Sequence, residues 1–175
     1  KSMSQIMDDA DYPGIRLMLD ASLENMHTPL KIDFSANDVI TPREMPFAFR
    51  LSFEERTIPV LAYNLETILS EKLETLLSRG TANTRMRDFY DIHVLTNTPT
   101  QRIDNTTLKK AFKGTCNKRS SQILLPDMDL ILQEIAESAS LVALWKSYQR
   151  KYQYASSVSW NDVIKSIRAL AEIVK

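Results

Sequence analysis

The sequence predicts an α+β fold in which a small antiparallel or mixed sheet is followed by a helical bundle. Three observations carry that reading. Apolar residues alternate with period two through the first third, then recur with a period of about 3.6 after Asn64. Each later periodic segment has its own start and stop residues. With 43% apolar residues among 175, there is enough hydrophobic material to fill a core.

Ile15, Leu17, Leu19, Ala21 and Leu23 share one face of a first strand, and Leu30, Ile32 and Phe34 share a face of a second. A meander with a turn at 25–28 is the simplest connection. Phe47, Phe49, Leu51 and Phe53 mark a third strand, and 58–62 a fourth that Pro59 restricts to an edge or a short element. At Asn64 a domain boundary is expected, separating a β-rich part, 1–63, from a helical part, 64–175. Asn64 caps a helix over 65–79 that Gly80 stops. Thr84 is expected to cap 85–96, Asp104 caps 105–118, and further helices are predicted over 127–137, 139–153 and 160–174, the last capped by Ser159.

Charge and composition narrow the functional classes. Twenty-two Lys and Arg balance 22 Asp and Glu, so no overall field draws the chain to nucleic acid or to an anionic membrane. Cys116 is the only cysteine, which excludes internal disulfides and Cys-rich zinc sites and suits a reducing cytoplasm. His27 and His93 lie far apart in sequence and do not suggest a histidine-centred metal site. No apolar run approaches the roughly 20 residues of a membrane span, and the first residues lack the layout of a signal peptide. The first residue is Lys1 rather than methionine, and the chain is expected to start inside a longer gene product.

Candidate functional residues are charges placed where a core should be. On the first helix Leu65, Ile68, Leu69, Leu73, Leu76 and Leu77 form one apolar stripe, and at 100° per residue Lys72 falls inside it, with Arg79 near the same azimuth. A buried ammonium without a partner costs several kcal/mol, so Lys72 should meet an anion. Arg79, at the helix end, can extend its head into solvent. The next helix opens Arg85-Met86-Arg87-Asp88-Phe89-Tyr90-Asp91-Ile92. Arg85 and Arg87 stand where the helix dipole disfavours cations, and Asp88 and Asp91 converge three residues apart, repelling unless neutralised. A salt-bridge cluster between consecutive helices satisfies this pattern; so does a phosphate site, where cations beside carboxylates stabilise a transferred phosphoryl group. Asp33 points away from the apolar face of its strand and reads, on spacing alone, as an ordinary outward residue.

Leu30-Lys31-Ile32-Asp33-Phe34-Ser35 with 38–42, then Glu66 to Leu77, Arg79-Gly80 and Arg87 to Ile92, resembles in order and spacing the AbiEii/AbiGii toxin family. The resemblance runs from about Tyr12 to the C-terminus. It implies the C-terminal part of a DNA-polymerase-β-like nucleotidyltransferase, with part of the transferase sheet and an added helical bundle. The implied activity moves a nucleotide from an NTP, with Mg2+, to an acceptor such as tRNA or another RNA, in abortive infection and phage defence. By the same resemblance Asp33 is the third carboxylate, holding metal or helping to deprotonate the acceptor. Lys72 contacts triphosphate, Asp88 and Asp91 are the acidic pair of the later motif, and Arg79, Arg85 and Arg87 orient phosphates or those acids. A cognate antitoxin acting without direct contact is implied as well.

Such enzymes need a glycine-serine turn followed by Asp-x-Asp on the next strand, and the sequence has no convincing copy. Gly114-Thr115 before Asp127-Met128-Asp129 has nearly the spacing, but its acids open a predicted helix; Asp9-Ala10-Asp11 has the spelling but reads as a polar loop. The chain alone is therefore expected to be inactive. Two basic stretches, Lys109 to Arg119 and Lys146, Arg150 and Lys151 among Trp145, Tyr148 and Tyr152, invite nucleic-acid contact. Helical spacing instead assigns Leu141, Leu144, Trp145, Tyr148 and Tyr152 to the core and the lysines to a solvated face. A non-catalytic partner-binding module and a small-molecule nucleotidyltransferase are the competing functions.

Overall fold

The computed structural model describes residues 2–6, 14–35, 38–99 and 102–175, and its element order is an antiparallel β region followed by six α-helices. The expected α+β arrangement is thus present. The loop carrying Asp9-Ala10-Asp11 lies outside the described residues. By internal contacts the chain divides into two compact units, 1–38 and 39–175.

The first unit is a three-stranded antiparallel sheet of β1 (Ser2–Ile6), β2 (Gly14–Leu23) and β3 (Met26–Phe34) in the order β1-β2-β3. Register follows the alternation of side chains: Ile15 pairs with Phe34, Leu17 with Ile32 and Leu19 with Leu30, so the apolar positions meet on one face. β1, absent from the sequence-based expectation, adds Met3 beside Leu17. The β2–β3 turn is tighter than expected, at Glu24-Asn25, with Glu24 in the left-handed region.

The second unit opens with a hairpin of β4 (Met45–Arg50) and β5 (Thr57–Ala62), in which Phe47 faces Val60 and Phe49 faces Ile58. β4 ends before Phe53 because the Leu51 N–H bonds to the Arg56 carbonyl and closes the loop, leaving Phe53 exposed. The helices follow: α1 (Leu65–Arg79), α2 (Met86–Asn97), α3 (Asn105–Lys118), α4 (Met128–Glu137), α5 (Ala139–Lys151) and α6 (Trp160–Val174). Three begin at the predicted caps: Asn64, Asp104 and Ser159 side chains accept from the N–H groups of Thr67, Thr107 and Asp162.

Helix bounds differ from expectation by at most two residues, most plainly in α2 and α5. Arg85 rather than Thr84 occupies the N-cap of α2, where its N–H donates to the Asn83 side chain at 2.8 Å. α5 stops at Lys151 because Tyr152 is extended. The core comprises Leu69, Leu73 and Leu76 of α1 with Phe89, Ile92, Leu108, Ile135, Leu141, Trp145, Val163 and Ile167. α1 runs through its middle, packing against α2, α3, α4 and α6. That is why Glu66, Thr67, Ser70 and Glu74, outside the expected stripe, are also buried.

Candidate functional site

α1 and α2 are joined by a short turn at Gly80, whose φ of 49° favours glycine, and by the fully buried Asn83. This connection brings Lys72 of α1 against Asp88 and Asp91 of α2. The Lys72 ammonium lies 2.8 Å from Asp88 Oδ1 and 2.7 Å from Asp91 Oδ2. The lysine side chain is 19% exposed, and the two carboxylates 16% and 26%. Burial pulls the ammonium towards neutrality, but the hydrogen bonds it donates to Asp88 and Asp91, together with their charges, outweigh it, and its pKa ends above the ordinary lysine value. A cation inside an apolar stripe has here drawn in the convergent acids that the sequence placed one helix later.

The other predicted residues divide. Arg87 reaches Asp91 only at 3.9 Å and is itself 81% exposed. Arg85 and Arg79 are exposed and make no ion pair among the described residues. Asp33, in the first unit, receives both Nε and Nη2 of Arg16 at 2.7 and 2.9 Å from the neighbouring strand. Bonds from Arg16 hold the Asp33 carboxyl below the usual carboxylate range. Arg16 was not legible as its partner, because register across two strands is set by tertiary pairing.

Beside the lysine cluster lies an open cleft of about 640 Å³. Arg85, Arg87 and Asp88 of α2 line one side; Ser147, Tyr148, Lys151 and Tyr152, at the end of α5, line the other. Tyr148 belongs to a group of tyrosines: its ring is 4.7 Å from that of Tyr152, and its hydroxyl is 2.9 Å from that of Tyr154. Burial, then the bond to Tyr154 and the charges of Tyr154 and Asp91, push the Tyr148 phenol above its ordinary value. The expectation that Tyr148 and Tyr152 are core is corrected in part. Leu141 and Trp145 are buried, whereas Leu144, also expected in the core, is 37% exposed on the cleft and Tyr148 and Tyr152 are half-buried on its wall, close to where the helix breaks at Tyr152.

Two other charged groups are structural. Arg119, read with a basic stretch, donates to Glu74 of α1 at 2.6 Å, and Glu66 accepts the Asp104 N–H at 2.8 Å. Both acids are buried and both fasten α3 to α1. Their signal in the sequence is long-range only. His93 bonds Ser166 of α6 through Nδ1 at 2.9 Å. Asp127-Met128-Asp129 opens α4, so those acids do not lie on a strand.

The family model of the nucleotidyl transferase AbiEii toxin, of type IV toxin-antitoxin systems, matches residues 1–169. The chain belongs to this family. AbiEii membership assigns it to the nucleotidyltransferase class of enzymes and to the toxins of toxin-antitoxin pairs. No curated protein and no solved structure matches the chain.

Nucleotidyltransferases as a class act on NTPs with magnesium, and the described residues of this AbiEii chain would have to offer that ion a site of carboxylate oxygens. They do not provide one. Asp33 gives both carboxylate oxygens to Arg16, Asp88 and Asp91 each turn one oxygen to Lys72, and no group of three or more His, Cys, Asp or Glu among the described residues is placed to hold a metal. Among the same residues, no helix is long and apolar enough to cross a membrane.

Proposed function

We propose that the helical unit of this AbiEii-family chain holds the phosphates of a nucleoside triphosphate during nucleotidyl transfer to an RNA acceptor. The supporting observation is the Lys72 ammonium fixed between Asp88 and Asp91 at the edge of a cleft whose arginines have little acidic company. An ammonium has three N–H donors, and two carboxylates direct two of them, leaving the third for a phosphate oxygen. Lys72, Arg85 and Arg87 set three cations against two carboxylates, so the cluster retains positive charge for an anion. Asp88 and Asp91 are positioning residues in this reading. Arg79, in the last turn of α1, is read as a further cation for those phosphates.

In the reaction the acceptor hydroxyl oxygen bonds to the α-phosphorus, the bond to the α–β bridging oxygen breaks, pyrophosphate leaves and the hydroxyl proton passes to a base. The family's Gly-Ser turn and Asp-x-Asp carboxylates are needed for that attack. None of the three glycines is followed by serine, so the 175-residue chain alone is read as inactive in transfer. Asp33, the remaining family carboxylate, has to exchange Arg16 for another partner before it acts. The setting proposed is a cytoplasmic toxin of phage defence, neutralised by an antitoxin without direct contact.

The test is incubation of the whole gene product with each radiolabelled NTP and total RNA. Label should enter RNA, and Lys72→Ala should reduce incorporation by about 100-fold, the scale for removing a preorganised cation or donor at developing charge. Incorporation untouched by Lys72→Ala and by Asp33→Ala refutes the site assignment. Label entering a small molecule instead of RNA refutes the acceptor.

A further inference from the structure

Another cavity, of about 620 Å³, lies in the helical unit where α3 turns into α4. Phe112 and Cys116 of α3, Leu125 of the turn, Met128 of α4 and Val174 of α6 supply its apolar lining. Phe112, Cys116 and Met128 are at most 3% exposed, whereas Leu125 is 37% exposed and belongs to the outer edge. Burial is the largest influence on the Cys116 thiol and pushes it up, so it lines the wall as a neutral group rather than a thiolate. Three lysines, Lys109, Lys113 and Lys175, also line the cavity, and no aspartate or glutamate does. Lys175 is engaged, with its ammonium 2.6 Å from both Asp129 and Glu172. The two amides of the edge are bonded to each other, Gln122 Nε2 donating to Asn117 Oδ1 at 2.8 Å. Lys109 and Lys113 differ: both are exposed, they stand four residues apart on α3, and they make no ion pair among the described residues. Like charges at that spacing repel, and an anion held between them removes the repulsion.

A pocket of this size, with apolar walls and a few charged groups converging on it, has the form of a small-molecule site. Its chemistry restricts the occupant. Apolar walls favour a hydrocarbon body that leaves water, and two ammonium groups without carboxylates favour an anionic head. Phe112 is the only aromatic side chain in the lining, and the thioether and branched aliphatic groups of Met128, Leu125 and Val174 adapt to a flexible chain better than to a flat ring. We infer that this cavity binds a small amphiphilic anion, an acyl carboxylate, with its chain against Phe112, Met128 and Val174 and its head on Lys109 and Lys113. The site is separate from the cluster of Lys72, Asp88 and Asp91, none of which lines it. The inference goes beyond the transferase reading and does not depend on it.

Methyl NMR of the 175-residue chain, labelled at its methionine methyls, reads the cavity directly and needs no transfer activity. Decanoate, kept below its micelle concentration, should shift the Met128 resonance saturably. It should leave unmoved those of Met3 and Met26, exposed methionines of the first unit's sheet. Decanol and decyltrimethylammonium keep the chain without the negative head, and each should bind at least about fivefold more weakly, the scale of one exposed ion pair. Lys109→Met combined with Lys113→Met should weaken decanoate at least about fivefold and change decanol by less than about twofold. Leu125→Glu, at a partly exposed position, sets a carboxylate beside the head and should weaken decanoate at least about tenfold. Lys165→Ala, which removes an exposed cation elsewhere on α6, should leave decanoate binding unchanged. Should Leu125→Glu not fold by circular dichroism, the lysine variant, altered only at exposed positions, decides. The proposal is overturned by a Met128 resonance that decanoate does not move, or by Met3 and Met26 moving with the same midpoint. Decanol or decyltrimethylammonium binding as tightly as decanoate, or a lysine variant that binds decanoate like the parent, overturns it equally.

Discussion

At the residue scale, Lys72 has two roles that different measurements separate. Its ion pairs tie α1 to α2, and removing it strands two partly buried carboxylates three residues apart. Breaking a fully buried pair costs about 3–5 kcal/mol. With Lys72 19% exposed, Lys72→Ala should lower the free energy of unfolding by about 2 kcal/mol in urea titration. Adding Asp88→Asn and Asp91→Asn should recover part of that loss while leaving incorporation as low as in Lys72→Ala. Full recovery of incorporation would make the lysine purely structural. The pH dependence has a definite sign. The folded-state pKa of Lys72 is raised from 10.5, so its stabilising contribution is complete below that value and disappears as pH rises through the higher folded one. The stability gap between the parent and Lys72→Met should therefore be flat from about pH 7 to 10 and narrow above it. A gap that narrows by about pH 8 contradicts the raised value.

At the element scale, α1 is the helix to which the others are fastened, and the fastenings are charged. Glu74 is 3% exposed and Arg119, at the end of α3, is its cation. Arg119→Ala leaves that carboxylate buried with the Ser78 hydroxyl but without its close cation and should cost about 2–3 kcal/mol, whereas Arg119→Ala combined with Glu74→Gln should cost less than the single change. A double variant as unstable as the single one would place the loss in packing of the arginine stem. Ser159 begins α6 by accepting the Asp162 N–H, so Ser159→Ala should cost about 1 kcal/mol by thermal denaturation. The bond its hydroxyl donates to the Asp162 carboxylate is the main influence that holds that carboxyl below its ordinary value.

At the scale of the whole molecule, the contacts fall into two units, and the second has a core of its own built from α1 to α6. Both tryptophans, Trp145 and Trp160, lie in that core region. Residues 39–175 expressed alone should therefore show a cooperative tryptophan-fluorescence transition in denaturant. A featureless, gradual change would mean that the helical core needs 1–38 to form. The first unit has a different character: Ile15, Leu30, Ile32 and Phe34 share a sheet face and remain at least 40% exposed.

What the sequence determined by itself is what depends on near neighbours. Period two and period 3.6 follow from backbone geometry, so the strands at 15–23 and 30–34 and the helices at 65–79, 105–118 and 160–174 were readable to within a residue or a few, caps included. Local periodicity also placed Lys72 in an apolar stripe and Asp88 and Asp91 on one side of the next helix. Family membership was readable because the spacing of those motifs is itself linear information. The pairings were decided only by tertiary structure: Lys72 with both aspartates, Arg16 with Asp33, and Arg119 with Glu74. So was the break at Tyr152, close to which two half-buried tyrosines line one cleft with Arg85 and Arg87. A charge chooses its partner by distance in space, and residues 16 to 45 positions apart meet only after the helices and strands between them have packed.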